Sequence, residues 1–390
     1  MRVLQVVEAT TAGVKTHVLS LVRHLDRNRF NLVVACPPVR IPAYGDVSFV
    51  AEVQKAGVPV IPIPMRRALH PMSDLAAARR LAKVLRHETF DVVHLHSSKA
   101  GLIGRLAVAL SRRRVAVIYT PNAFAFQGRR GLSRHLYVAA ERFLGRWTSA
   151  LVCVSPGEQG VARAARLVPP ARLVLIENGV PPRPARTSEE MAAARKVLAL
   201  PSDVPVIGSV GRLSAQKGHR YLIEAAPAIL AHVPQARIVL VGDGELRHAL
   251  ERQAEGLGVA DHVLFAGYQP DAMALMPAFD CLALPSLWEG LSFVLLEALA
   301  AGVPAVVTRI PGMEGLTDGE TALIVPPRDA SALAAALVRL LTDRALAARL
   351  GEAGRALVVS RYDLAQQVRK VERLYEMLVG ETNNRDLHHG

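Results

Sequence analysis

Two carboxylates eight residues apart, Glu289 and Glu297, are the most chemically suggestive pair in this 390-residue chain. They lie in Leu284-Pro-Ser-Leu-Trp-Glu-Gly-Leu-Ser-Phe-Val-Leu-Leu-Glu-Ala-Leu-Ala-Ala-Gly-Val-Pro304, which reads as a strand end near Pro285, a loop, and an apolar helix from about Ser292. Glu289 falls in the loop and Glu297 inside the helix. A carboxylate in so apolar a helix is costly unless something hydrogen-bonds to it. The paired hydroxyls of a ribose or hexose suit it, because a carboxylate accepts two such bonds. The amides of Gly290, Leu291 and Ser292 would stand at the helix N-terminus, a place that favours an anion or an array of hydroxyls. Placement against the helix dipole alone would account for Glu289 tolerably and for Glu297 poorly.

Cations come from Gly208-Ser-Val-Gly-Arg-Leu-Ser-Ala-Gln-Lys-Gly218, between a strand and a helix. Arg212 and Lys217 emerge there at a strand's carboxyl end and suit a diphosphate, Arg as a bidentate donor and Lys as a point charge. Thr10-Thr-Ala-Gly-Val-Lys-Thr-His17 is a small-residue loop opening a helix, where Gly13 permits close approach of backbone to ligand; a simple tight turn would look the same. In Val92-Val-His-Leu-His-Ser-Ser-Lys-Ala-Gly101 the alternation puts His94 and His96 on one strand face. No acidic or Cys ligands lie nearby in sequence, so a strand-end histidine reads as a hydrogen-bonding or acid/base group rather than a metal ligand.

Positioning such groups needs parallel sheets. Apolar runs at 3–7, 31–35, 58–62, 91–95, 115–120, 150–154 and 172–176 alternate with amphipathic stretches such as His17–Leu25 and Met72–Arg86. That rhythm predicts a buried parallel sheet covered by helices. Gly179–Thr187, with three prolines in nine residues, reads as a linker. The rhythm restarts with strands at 204–210, 236–241, 262–265, 281–285, 305–308 and 322–325. Two doubly wound α/β domains facing across a cleft are expected, with ligands at the carboxyl ends of the strands. Residues after Glu381 are polar and read as a frayed end.

Bulk properties narrow the partners. Hydrophobic residues make up 51% and mean hydropathy is +0.23, which excludes general disorder. The best membrane-span candidate, Phe293 to Val307, is interrupted by Glu297 and by Gly302-Val-Pro304. Met1-Arg2 leads straight into a buried-strand pattern rather than a signal-peptide layout. Cys36, Cys153 and Cys281, odd in number and far apart, suit a reducing cytosol and suggest neither a disulfide nor a metal. The net charge of +13 is unevenly placed: residues 1–180 carry 26 Lys+Arg against 10 Asp+Glu, the remainder 21 against 24. An anionic partner for the N-terminal half follows, or else a basic surface with none. Aromatics at 5% with no stacking pattern argue against nucleic acid. Arg112-Arg-Arg114 and Phe124-Ala-Phe-Gln-Gly-Arg-Arg-Gly-Leu-Ser-Arg-His-Leu-Tyr137 mix cations with apolar residues. This combination suits an anionic membrane surface, with Arg129, Arg130 and Arg134 facing it.

Together these segments resemble the retaining glycosyltransferases of the GT-B fold, family 4, over nearly the whole chain. Glu289 to Glu297 looks like that family's E-x7-E signature, and Gly211-Arg212…Gln216-Lys217-Gly218 like its diphosphate-binding motif. Val241-Gly-Asp-Gly-Glu-Leu-Arg247, Phe265-Ala-Gly-Tyr268 and Ile176-Glu-Asn-Gly-Val180 are further similar pieces. The resemblance implies a Rossmann-like acceptor-side domain over 1–180, a linker and domain start over 181–200, and a donor-binding domain over 201–360. A C-terminal helix at about 361–379 would pack back on the first domain. It implies that Arg212 and Lys217 hold the donor diphosphate without a metal or cofactor and that Glu297 binds ribose. Glu289 with the amides of Gly290, Leu291 and Ser292 would hold the transferred sugar. Gly13 would touch the diphosphate as the cleft closes, and His96 would stand near the donor sugar. His17 and Asn122 are acceptor-side candidates, although His17 and His94 could equally serve the fold. Three departures stand out: Ala12 where a second glycine is usual, Asn122 where a histidine is common, and Pro181 where an aspartate is frequent.

The expected reaction moves a sugar from a UDP- or GDP-linked donor to a lipid-linked glycan intermediate, on a cytoplasmic enzyme docked at the membrane's cytoplasmic face. A small soluble anionic acceptor is the alternative. A non-catalytic GT-B binding protein would be expected to lose the carboxylate and cation sets, and both are present. A GT-B phosphorylase would need a cofactor lysine motif, and none is seen.

Overall fold

A computed structural model describes residues 1–38 and 48–387. The chain divides into two compact units. One holds the described residues through Asn178 together with the segment from Ala365 onward; the other is Gly179–Leu364.

The first unit is built on β1 (Arg2–Val7), β2 (Asn31–Cys36), β3 (Val60–Pro62), β4 (Val92–His96), β5 (Ala116–Thr120), β6 (Ala150–Cys153) and β7 (Leu173–Leu175). They form a seven-stranded parallel sheet in the order β3-β2-β1-β4-β5-β6-β7. The second unit carries β8 (Val206–Val210), β9 (Arg237–Val241), β10 (Val263–Gly267), β11 (Cys281–Leu284), β12 (Ala305–Thr308) and β13 (Leu323–Val325). Their order, β10-β9-β8-β11-β12-β13, is again all parallel. β4, β5, β8 and β11 are buried along their whole length, which is why they read as continuous apolar runs rather than alternating ones. Each unit has its own apolar core.

Strand order reverses between β1 and β4 in one sheet and between β8 and β11 in the other. A doubly wound sheet opens its ligand crevice at such a switch point, beyond the carboxyl ends of the strands. The Gly13 loop follows β1 and His96 ends β4; the Arg212–Gly218 loop follows β8 and the Glu289 loop follows β11. All four sequence motifs therefore stand at the two switch points.

The ends of elements differ from the sequence expectation where distant contacts intervene. The C-terminal helix is Leu364–Leu387, not 361–379. Arg361 closes the preceding helix, and Tyr362 and Leu364 pair instead with Val180, through Val180 N–H to the Tyr362 carbonyl at 2.9 Å and Leu364 N–H to the Val180 carbonyl at 3.1 Å. The helix also continues beyond Glu381. Within 181–200, residues Ser188–Val197 form a helix with a Thr187/Glu190 capping box. Arg195 ties it to the second unit, 2.9 Å from Asp280 Oδ2 and 2.6 Å from the Ser202 carbonyl.

Candidate active site

In the second unit, Gly218 makes the site compact. It sits at φ +65°, and a Cβ there would fall 2.0 Å from the Pro285 carbonyl oxygen, so only glycine lets the β8 loop touch the β11 loop. Leu287 N–H donates to the Gln216 carbonyl at 2.7 Å, and the Gln216 amide donates to the Trp288 carbonyl at 3.0 Å. This contact delivers Lys217 onto Glu289, with Nζ 2.6 Å from Oε1. The same oxygen accepts the Ser286 hydroxyl at 2.8 Å. Arg212, from the start of the same loop, holds Glu245 through Nε at 3.0 Å and Nη2 at 2.7 Å.

Gly290, Leu291 and Ser292 immediately precede the helix Phe293–Ala300, and the Ser292 hydroxyl caps it by accepting from Leu295 N–H at 3.4 Å. Gly312, at φ +103°, packs so closely on this turn that a Cβ would lie 2.1 Å from the Gly290 carbonyl oxygen. Glu297 sits one turn inside the helix and is 8% exposed. Burial, with a smaller push from Asp271, raises its carboxyl to about 7. It is buried in the apolar helix, as its sequence setting implied.

The first unit gathers histidines instead. The rings of His94 and His96 are 4.0 Å apart, and that of His17 is 5.2 Å from His96. His96 Nε2 donates to the Gln5 carbonyl oxygen at 2.6 Å, while the Gln5 amide donates to the Tyr375 hydroxyl at 3.0 Å. That hydroxyl is 2.7 Å from His94 Nδ1, and His94 Nε2 is 2.8 Å from the Thr120 hydroxyl. His96 Nδ1 is buried and has no hydrogen-bond partner among the described residues. His17 Nδ1 donates to Asn178 Oδ1 at 3.0 Å. Burial depresses His17 to about 4, the Asn178 bond opposing, and holds His94 and His96 well below the usual imidazole range, neighbouring rings adding to the effect. Burial thus favours the neutral form of all three rings, and what the site presents at His96 is an uncharged hydrogen-bonding group. Gln5 and Tyr375, which orient the pair, were not expected from sequence. Their only sequence signal is a polar residue in an otherwise apolar strand and helix face.

Backbone in the left-handed region marks this switch point. Ala12 has φ +55°, Ser97 +82°, Asn122 +52° and Ala123 +83°, at the ends of β1, β4 and β5. Ala12, where glycine is usual, thus adopts the conformation a glycine would supply at less cost. Gly13 follows it in the first turn of the helix Ala12–His24. Asn122 buries its side-chain amide nitrogen without a partner among the described residues. Glu158 accepts from Ala123 N–H at 2.7 Å and Val154 N–H at 2.8 Å and so anchors that loop; burial raises it to about 7 against those bonds.

The basic stretch needs a correction. Phe124 and Phe126, read as exposed apolar partners of the arginines, are 1% exposed and stack with centroids 5.0 Å apart. The exposed apolar residues of the stretch are Leu132 at 75% and Leu136 at 62%, both on the helix Gly131–Leu144, which adds Phe143 at 50% beyond it. Arg129, Arg130 and Arg134 are exposed beside them. The inner side of the helix packs Tyr137, Val138 and Leu144 on the core and buries one charge, Glu141, which accepts from Arg105 at 2.7 Å and from the Tyr119 hydroxyl at 3.1 Å.

Residues 12–179 match the description "Glycosyl transferase 4-like domain" and residues 190–357 match "Glycosyl transferases group 1". The UDP-Gal:alpha-D-GlcNAc-diphosphoundecaprenol alpha-1,3-galactosyltransferase of Escherichia coli is 31% identical over 324 residues, spanning 81% of this chain and 83% of that protein. The chain belongs to the group 1 glycosyltransferases. This glycosyltransferase is also 30% identical over 374 residues to the phosphatidyl-myo-inositol mannosyltransferase of Mycobacterium leprae, spanning 93% and 92% of the two chains. Anabaena HepE solved with UDP-glucose superposes with a TM-score of 0.81 at 21% identity, covering 97% of this chain and all of that one. WaaG gives 0.77 at 18%, covering 96% and 99%. Both show the GT-B fold with its two Rossmann-like domains.

Proposed function

We propose that this glycosyltransferase takes its sugar from a nucleoside-diphosphate donor, with retention and without a metal, and passes it to a lipid-linked acceptor at an anionic membrane surface. The observation that carries the donor reading is the meeting of Lys217 and Glu289 at one switch point, with Arg212 on the loop of Lys217 and Glu297 in the helix that follows Glu289. Lys217 and Arg212 would grip the diphosphate and stabilise the leaving group where charge develops. Glu297, buried in an apolar helix, would accept the ribose hydroxyls, and Glu289 with the amides of Gly290 to Ser292 would hold the sugar. In the first unit His96, neutral and with Nδ1 available, would accept a hydrogen bond from a substrate hydroxyl. Retention is supported by the alpha linkage named for the E. coli relative.

The acceptor reading draws on the E. coli and mycobacterial relatives, whose names specify a diphosphoundecaprenol-linked sugar and phosphatidyl-myo-inositol. The exposed stripe Leu132, Leu136 and Phe143 recurs at helical spacing and is flanked by Arg129, Arg130 and Arg134. That combination fits a helix lying on the cytoplasmic leaflet, apolar side down, with each nearby Arg adding about 1 kcal/mol. Among the described residues no helix is long and apolar enough to cross a membrane. Thermal stabilisation by a panel of UDP-, GDP- and ADP-sugars identifies the donor, and proton NMR of the product reads the anomer. Co-sedimentation should require anionic vesicles, fade with salt and weaken when Arg129, Arg130 and Arg134 become Ser. Protein remaining in the supernatant with anionic vesicles at low salt would remove the membrane reading.

A further inference from the structure

Lys217 and Glu289 are assigned above to different parts of one donor, yet the two side chains bind each other. Nζ lies 2.6 Å from Oε1, and the side chains are 17% and 8% exposed. The carboxylate is further held by the Ser286 hydroxyl at 2.8 Å and faces the Gln216 amide at 3.5 Å. This pair differs from Arg212–Glu245, whose carboxylate is 50% exposed and hydrated whether or not it is paired.

Resting on that donor-site reading, we propose that Glu289 is a specificity-determining residue that favours the intact nucleotide-sugar over the nucleoside-diphosphate product. A diphosphate that takes Lys217 as its ion-pair partner competes with Glu289 for the ammonium. The carboxylate so displaced is largely buried and lies close to the incoming negative charge, and the Ser286 hydroxyl and Gln216 amide that remain to it carry no counter-charge, so the loss of Lys217 is expensive. An intact donor brings sugar hydroxyls that hydrogen-bond to the carboxylate as the diphosphate takes the ammonium, and both partners of the broken pair are satisfied again. The bare nucleotide supplies a partner for Lys217 and none for Glu289. Once the sugar has left, re-formation of the ion pair therefore competes with the bound nucleotide and speeds its release. The loop contact at Gly218 keeps the two groups close enough for the exchange.

The test is calorimetry on the full chain without acceptor, using whichever of UDP, GDP and ADP binds most tightly, and its hexose conjugate. Glu289→Gln keeps a side chain of the same shape beside Ser286 and removes the competing charge. It should bind the nucleoside diphosphate on the order of tenfold more tightly than wild type and the nucleotide-sugar no more tightly. Glu289→Ala, checked for folding by thermal melting, should shift nucleotide affinity in the same direction. If both variants bind the nucleotide no more tightly than wild type while Lys217→Ala still weakens it, the competition proposal is overturned and the diphosphate assignment stands. If Lys217→Ala binds like wild type, the diphosphate assignment fails and the proposal fails with it.

Discussion

At the switch point of the first sheet the titratable groups are three imidazoles held neutral by burial; at that of the second they are an ammonium, a guanidinium and two carboxylates. The two sheets share their parallel construction and the same reversal of strand order, so architecture does not account for the difference. The side chains at the strand ends do. In the first unit the polar groups are wired to one another through Gln5, Tyr375, Thr120 and Asn178, and the excess positive charge lies outside, on surfaces such as that around the helix Gly131–Leu144. In the second unit the charge stands on the loops at the strand ends, paired as Lys217–Glu289 and Arg212–Glu245. A buried ion pair can thus serve the fold or the site, and surroundings decide which: Arg105–Glu141 is closed in by Tyr119, whereas Lys217–Glu289 sits on loops at the strand ends.

The sharpest way to break that comparison is to remove one partner from each pair. Glu141→Ala leaves the Arg105 guanidinium, whose side chain is 2% exposed, without a counter-charge and should destabilise the protein by about 3–5 kcal/mol in urea unfolding. Glu289→Gln should cost under about 1 kcal/mol, because Lys217 keeps access to water. Equal losses would show that both pairs are structural.

Next in size is His96→Ala, expected to lower kcat about tenfold or more with little change in nucleotide Kd, the amount one hydrogen bond to a reacting substrate supplies. Because His96 is already neutral, the kcat it supports should not titrate with an imidazole pKa between about pH 6 and 8. A wild-type kcat in the variant would return His96 to a purely packing role.

Glu297 sharpens the comparison through pH. Its carboxyl is raised to about 7, so the cost of ionising it in the fold is absent below its ordinary value, grows as pH rises, and is fully present above about 7. Glu297→Gln should therefore stabilise the protein at pH 8 by on the order of 3 kcal/mol in urea unfolding, and leave its stability unchanged near pH 4. Binding should show the opposite sign. Ribose hydroxyls need the ionised acceptor, so wild-type nucleotide affinity should rise as pH goes from about 6 to 8, and the variant should lose both the affinity and the slope. A slope that survives in Glu297→Gln belongs to another group. The smallest effect expected is at Ala12, where Ala12→Gly relieves a left-handed alanine and should stabilise by at most about 1 kcal/mol in the same unfolding assay.

Every strand among the described residues was legible in the sequence, because burial on both faces of a parallel sheet leaves an unbroken apolar run and Gly or Pro marks where it stops, whereas the helices Ser98–Ser111, Gly131–Leu144 and Arg344–Arg361 were not read from it. The placement of Arg212, Lys217 and Glu289 on the loops after β8 and β11, and of Glu297 inside the helix that follows, was legible too, since it follows from the direction of a parallel strand. The exposed apolar surface was legible only in part: Leu132 and Leu136 lie in the stretch read as membrane-facing and are exposed, whereas Phe124 and Phe126 carry the same hydrophobic signal and are buried, in a loop that Glu158 anchors through Ala123 N–H.

The sequence by itself determined which residues could do chemistry and at which strand end each would emerge, since both follow from local pattern and from the direction of a parallel strand. Only the tertiary structure decided who partners whom. Lys217 meets Glu289 across 72 residues and Gln5 meets Tyr375 across 370. Such meetings depend on strand order and loop contact, which the periodicity of a single segment does not encode. Whether a charged group is free for a ligand or already spent on a neighbour is therefore a property of the folded chain.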